Sequence, residues 1–149
     1  FVRINVLNNT MFTDQGIIEG KSYEINQFKS TLNNVVEIYA DVFVKHAVPA
    51  PGSKIENHAK ELIDRAGADV VIVTGDGTGH EINMDDLEKV RNIVPEGKLA
   101  IGSGVNATNV GAYQDLADIL IVGTSFKFDN IVSKKVDINR VEEIVRKVK

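Results

Sequence analysis

Residues 2–6 read VRINV and residues 37–45 read EIYADVFVK. Both stretches alternate. Val2, Ile4 and Val6 are apolar, and Arg3 and Asn5 between them are polar. Ile38, Ala40, Val42 and Val44 are apolar against Glu37, Tyr39, Asp41 and Lys45. A period of two is the mark of a strand with one apolar and one mixed face. Parallel strands of a doubly wound sheet are covered on both faces and read as continuous apolar runs. A (β/α) barrel has helices outside and a lumen inside, and inward polar residues near its strand ends meet the active site. The alternation favours the barrel. Arg3 and Asp41 can also be read as a plain charge pair across neighbouring strands.

The rest of the chain repeats one unit. Strands are expected over Val2–Leu7, Val35–Val44, Asp69–Thr74, Lys98–Gly102 and Ile119–Gly123. Each is followed by a helical pattern, at Glu19–Leu32, Lys54–Ala66, Met84–Ile93, Ala107–Leu116 and Ile138–Val148. Ser53 with Glu56, and Asn83 with Asp86, have capping-box spacing; Asn106 precedes the fourth helix as a cap. Gly67 stands where a helix end takes a left-handed residue. Ile55, Ala59, Leu62, Ile63 and Ala66 form one stripe, with His58 packed at its border. Five strands each followed by a helix make an α/β fold with a parallel sheet. We read it as the last five strands of a (β/α)8 TIM barrel. The alternative is a flavodoxin-like five-stranded doubly wound sheet, which would put its glycine loop at the first strand's end, where "NNTMFTDQG" is poor in glycine.

The 149 residues suit a single domain. A net charge of −4 argues against a nucleic-acid partner. With no cysteine there are no disulfides and no thiol chemistry. No apolar run approaches the ~18 residues of a membrane span, and a cytoplasmic location is expected.

Phosphate binding is the clearest chemical signal. "IGSGVN" at 101–106 is strand, glycine loop and helix cap. "IVGTSFK" at 121–127 is strand, glycine, two hydroxyls and a lysine. Glycines let a backbone approach a ligand, and free N–H groups attract anions. The last two strand ends of a barrel commonly share one phosphate site. The expected ligands are the backbone of Ser103, Gly104, Gly123 and Thr124, the hydroxyls of Thr124 and Ser125, and Lys127. "TGDGTGH" at 74–80 only superficially resembles a dinucleotide fingerprint, because its helix starts several residues too late. It reads as a loop over the strand ends.

Asp14 follows the first strand, Asp41, Lys45 and His46 lie at or beyond the second, and Asp76 and His80 follow the third. Units wound alike gather these at one rim. A lysine and a carboxylate there suit proton transfer or carbonyl chemistry. Arg3, Asn5 and Gly75 are assigned to substrate contact. Asp41, His46, Asp76 and His80 have metal-ligand chemistry but no diagnostic spacing. No metal or cofactor is expected.

"FVRINVL", "TDQGIIEGK", "ADVFVKHA", "IGSGV" and "VGTSFK" together, in order over nearly the whole chain, resemble the BtpA/SgcQ family. The resemblance implies a barrel of the ribulose-phosphate-binding kind and no settled reaction. It places the family's recurring positions at Arg3 and Asn5, Thr13 to Gly16, Glu19, Asp41, Lys45 and His46. The others fall at Gly75, Gly79, Gly102, Gly104, Gly123, Thr124 and Lys127. The family is named for a member involved in photosystem I biogenesis, and some members sit near sugar-metabolism genes. Members carry a further N-terminal segment, so the chain is expected to be a C-terminal part lacking three of the eight strands. The exposed sheet edges then invite pairing in a homo-oligomer. Two functions follow. The first is binding of a phosphorylated sugar-like metabolite, with isomerase, epimerase or aldolase-type chemistry by Asp41 and Lys45, supported by Asp14 and His46. The second is a non-catalytic assembly or stability factor.

Overall fold

Apolar residues at alternate positions of the short strands sort onto two faces, and that sorting builds the fold. The computed structural model describes residues 1–33, 35–75 and 82–148. In chain order the strands are β1 (Val2–Ile4), β2 (Thr10–Thr13), β3 (Gly16–Glu19), β4 (Ile38–Asp41), β5 (Ala47–Pro49), β6 (Val70–Val73), β7 (Leu99–Ile101) and β8 (Ile119–Leu120). The helices are α1 (Ser22–Thr31), α2 (Ile55–Asp64), α3 (Met84–Arg91), α4 (Val110–Tyr113) and α5 (Ile138–Val145).

The main sheet runs β1-β4-β6-β7-β8, every neighbour parallel. Its strands lie in sequence order. A flavodoxin-like sheet has the order 2-1-3-4-5, so that alternative is excluded. Sequential order with a helix after each strand is barrel winding. Ile38, Ala40, Val71, Val73, Leu99 and Ile101 face the helices, where they join Leu62, Leu87 and Val90 in one large buried cluster. Val70, Ile72 and Ala100 point the other way, with Tyr39, Ile119 and Ile121 against them. Arg3 and Asp41 share this inner face. The alternation in the first two strands is thus real and has the expected sense.

One device repeats at the sheet's N-terminal edge. Asp69, just before β6, accepts from the Ile38 N–H at 2.8 Å and from Lys29 Nζ at 2.6 Å. Asp118, just before β8, accepts from the Leu99 N–H at 2.9 Å and from Arg91 at 2.8 Å. Each carboxylate ties the start of the preceding parallel strand to a cation on the helix that leads into that strand. Burial acts to raise both carboxyls, but these donors outweigh it and hold both below the usual range.

The structure corrects several local expectations. The first loop is not irregular: β2 and β3 form an antiparallel hairpin, and β5 adds to β2 as a third strand. The first helix therefore begins at Ser22, not Glu19. Ser53 caps nothing; its hydroxyl donates to the Ala50 carbonyl. Asn83 does cap α3, accepting from the Asp85 and Asp86 N–H groups, whereas the Asp86 carboxylate takes Lys89. Gly67 is left-handed, at φ +77°.

His58 is 5% exposed on the inner side of α2, edge-on to Phe43. Burial lowers its pKa, against the opposing charge of Glu61. The folded state thus binds its proton less readily than the unfolded chain does. Its stabilising contribution is present above the ordinary histidine value of about 6.5 and is lost as pH falls through the lowered one. The melting temperature is expected to drop as pH falls below about 6.5, and His58→Phe to flatten that slope. Melts of both proteins across this window check it; equal slopes would assign the acid sensitivity elsewhere.

Candidate functional site

Strand register sets the site's first pair. Arg3 lies opposite Tyr39, so Asp41, two residues on, is on the same face one diagonal step away. The Arg3 Nε donates to Asp41 Oδ2 at 2.9 Å and its terminal nitrogen to Oδ1 at 2.7 Å. Both carboxylate oxygens are therefore occupied by a guanidinium fork. Asp41 is 1% exposed. Burial raises its carboxyl above the usual range, and the bonds and charge of Arg3, with Lys45 further off, oppose that rise. The hydrogen bonds to Asp41 raise the Arg3 pKa in turn.

The second part is the loop after β7. Gly102 is closely packed: a Cβ there would lie 2.5 Å from the Ile72 Cγ2 and 3.0 Å from the Arg3 guanidinium. Gly104 is left-handed at φ +77°. Its carbonyl accepts from the Asn109 amide at 2.9 Å, and Asn106 Oδ1 accepts from the Thr108 and Asn109 N–H groups. Asn106 thus caps the turn leading into α4, as expected, although the regular helix starts later. The Ser103 hydroxyl oxygen accepts from the Gly75 N–H at 3.0 Å.

The third part is the loop after β8. Gly123 leads into a 3-10 turn, Thr124–Phe126. The Ser125 hydroxyl donates to the Val105 carbonyl at 2.6 Å, joining this loop to the previous one. Its proton is thereby committed, so the expected hydroxyl donation to a ligand falls to Thr124. Arg140, on α5, donates from Nε to the Ser125 carbonyl at 2.8 Å.

Together these residues line a cleft of about 590 Å³ at the C-terminal ends of the strands. Arg3, Lys45, Ser103, Gly104, Gly123, Thr124 and Ser125 are all in its wall, with Asn130 and Arg140. No aspartate or glutamate among the described residues lines it. Among the described residues, the N–H groups of Ser103, Gly104, Gly123 and Thr124 donate to no protein acceptor. Backbone N–H groups without protein acceptors, in a cleft wall that also carries cations, suit an anion.

Other expected residues fall elsewhere. Gly75 and His46, together with Lys45, line a neighbouring cleft. His46 is exposed and left-handed, at φ 62°. Asp14 is exposed at the tip of the β2–β3 hairpin, Asn5 is exposed beyond β1, and Lys127 closes the 3-10 turn; none of the three lines either cleft. Asp76, Gly79 and His80, and most of the "TGDGTGH" loop, lie outside the described residues. Arg140 and Asn130 were not among the expected residues. Arg140 sits in "DINRVEEIV", an ordinary amphipathic helix pattern, and only the loop folded onto it singles it out.

Two solved barrel enzymes share this architecture. One is 3-hexulose-6-phosphate synthase from Salmonella typhimurium, with a TM-score of 0.61, 18% identity, and coverage of 87% of this chain and 57% of that one. The other is N-(5'-phosphoribosyl)anthranilate isomerase from Pyrococcus furiosus, with a TM-score of 0.57, 20% identity, and coverage of 85% and 56%. At such identities the likeness is one of fold, and it identifies the five parallel strands as part of a TIM barrel. In sequence, an uncharacterized protein of Pyrococcus horikoshii is 40% identical over 149 residues, covering 100% of this chain and 56% of that protein. The photosystem I biogenesis protein BtpA of Synechocystis is 36% identical over 145 residues, covering 97% and 50%. The chain thus spans about half the length of the curated relatives it matches. No helix among the described residues is long and apolar enough to cross a membrane. The BtpA family model matches residues 1–149, and the chain belongs to that family.

Proposed function

We propose that the cleft binds a phosphorylated, sugar-like metabolite, with its phosphoryl group on the two glycine loops, and that the protein carries out isomerase, epimerase or aldolase-type chemistry on it. One observation carries the reading. Four residues whose backbone N–H groups have no acceptor among the described residues line the same cleft as Arg3, Lys45 and Arg140, with no carboxylate among its described lining, in a chain whose net charge is −4. The names of both structural neighbours refer to phosphorylated sugars. Lys45 pairs with no carboxylate among the described residues. It is the group that would polarise or protonate a substrate carbonyl. Asp41 reaches substrate only if Arg3 releases it; held as it is, it fixes Arg3 in the cleft wall.

A second reading is a non-catalytic assembly factor that keeps the anion site. The name of the Synechocystis relative favours it. Asp14 and His46 are also not among the residues that line the cleft, which leaves the catalytic set thin.

The test uses the protein with its whole natural reading frame. Crystals soaked in inorganic phosphate or ribulose 5-phosphate are expected to show the phosphoryl group within hydrogen-bond reach of the Gly104 and Thr124 N–H groups. Density that avoids both loops would overturn the assignment. Gly123→Ala sharpens it. Gly123 has an ordinary φ of −117°, and a Cβ there would meet nothing within 4 Å. Stability is expected to change by less than about 0.5 kcal/mol, whereas phosphate affinity falls about tenfold as the methyl group holds the anion off the backbone. Phosphate binding without turnover of any of a panel of sugar phosphates would favour the assembly reading.

A further inference from the structure

We propose that Arg140 is an anion-binding residue of the cleft, its guanidinium presented by Asn130 to the phosphoryl group held on the glycine loops. This rests on reading the cleft as a phosphate site, and names the side-chain charge that site uses.

Arginine has five N–H donors in a rigid fork. Arg140 commits Nε to the Ser125 carbonyl and one terminal nitrogen to the Asn130 side-chain oxygen. Both acceptors are neutral. Arg3, Arg91 and Arg146 each face a carboxylate, at 2.7, 2.8 and 2.7 Å, but among the described residues no carboxylate pairs with Arg140. Its side chain is therefore oriented by two bonds without losing its charge, and it lines the same cleft as Gly104, Gly123 and Thr124. Arg3 is different, since Asp41 already neutralises it. Arg140 and Lys45 are thus the two cations of the cleft wall that no carboxylate pairs with among the described residues, and of the two Arg140 is the one fixed by hydrogen bonds to the loop after β8.

The loop that holds Arg140 is an independent observation. Asp129 and Asn130 are consecutive left-handed residues, at φ 54° and 56°. Asn and Asp are the non-glycine residues that adopt this conformation most readily, and it is held where the surroundings favour it. Here they do. Lys134 pairs with Asp129, the Asn130 N–H donates to the Lys127 carbonyl at 3.1 Å, and Lys127 bridges Val136 to close the excursion. The outcome is an amide oxygen placed on Arg140.

Inorganic phosphate titrated calorimetrically into the protein with its whole reading frame tests the proposal. Arg140→Gln is expected to weaken phosphate about tenfold or more, as loss of a charged hydrogen-bond donor does. Arg140→Lys should recover part of the loss. Asn130→Gly preserves the left-handed backbone and the Arg140–Ser125 bond, and should weaken binding about threefold. A charge contact also has its own signature: wild-type affinity should rise as phosphate takes its second negative charge, and Arg140→Gln should flatten that rise. A merely structural role would lower affinity equally on both sides of it. Wild-type binding with unchanged affinity in Arg140→Gln would overturn the proposal and leave the phosphate site standing. No phosphate binding by the wild type would overturn both. Should Arg140→Gln fail to fold, Asn130→Gly decides, and unchanged affinity there overturns the proposal.

Discussion

Gly20→Ala is expected to destabilise the protein by about 3 kcal/mol or more, the upper end of what overpacking does. Gly20 joins β3 to α1, where the chain crosses the loop leading out of β1. Its N–H donates to the Asn9 carbonyl at 2.7 Å. A Cβ would sit 2.3 Å from the Asn8 Cα and 2.5 Å from its backbone N and C. These are main-chain atoms and have no rotamer to turn away. The two segments must separate, and the hairpin then loses its anchor beside Met11, which is 1% exposed. Gly111→Ala is the control. It lies in α4, with nothing within 4 Å of its Cβ, and is expected to be neutral or stabilising by up to about 1 kcal/mol. Denaturant unfolding of both variants checks the contrast; similar midpoints would mean that the crossing relaxes freely.

The hairpin that Gly20 anchors was hidden in the sequence for a physical reason. "NNTMFTDQG" looks like a polar loop because its apolar residues are few and uneven. Its pairing is fixed by Thr13, whose hydroxyl donates to the Gly16 carbonyl at 2.9 Å, and by β5, which lies more than thirty residues on. The first is a turn contact made by residue types that also fill ordinary loops, and the second has no local signature. The five parallel strands were legible because each is a short apolar run with a period, and the periods agree with one another. Their alternation separated an inner face from an outer one before any pairing was known. The ends of the elements were less legible. Ser53 has the right residue type and spacing for a cap, yet a turn at Ala50 takes its hydroxyl.

The site divides along the same line. Gly104, Gly123 and Thr124 were readable because a glycine ending an apolar strand is a local event. Arg3 and Asp41 were readable as a pair because both occupy the polar phase of adjacent strands. Arg140 was not, because its place in the cleft depends on the excursion after β8. Asp14 was drawn to the rim by position in the chain alone, and the hairpin carries it away.

Gly102→Ala is expected to act on fold and site together. The new methyl group would press on the Ile72 Cγ2 at 2.5 Å and the Thr74 Cγ2 at 2.9 Å. Both belong to β-branched side chains, which cannot easily turn aside, and Ile72 is fully buried. The remaining neighbour is the Arg3 guanidinium, at 3.0 Å, on a longer and more exposed side chain. Arg3 therefore yields first and takes its fork off Asp41. The direct overpacking cost is about 1–3 kcal/mol. The further effect depends on pH, and its sign is fixed. Burial raises the Asp41 carboxyl, and Arg3 opposes that rise. Losing Arg3 should move the carboxyl higher still. A carboxyl raised on folding favours the folded state when protonated, and that contribution is lost as pH rises through the raised value. The variant should thus be closest to wild type in mild acid, and the gap should widen toward neutral pH. Unfolding curves at two pH values, with the Asp41 carboxyl followed by carbon NMR, measure both. A gap constant with pH and an unmoved Asp41 would show that Ile72 gives way and the Arg3 fork stays in place.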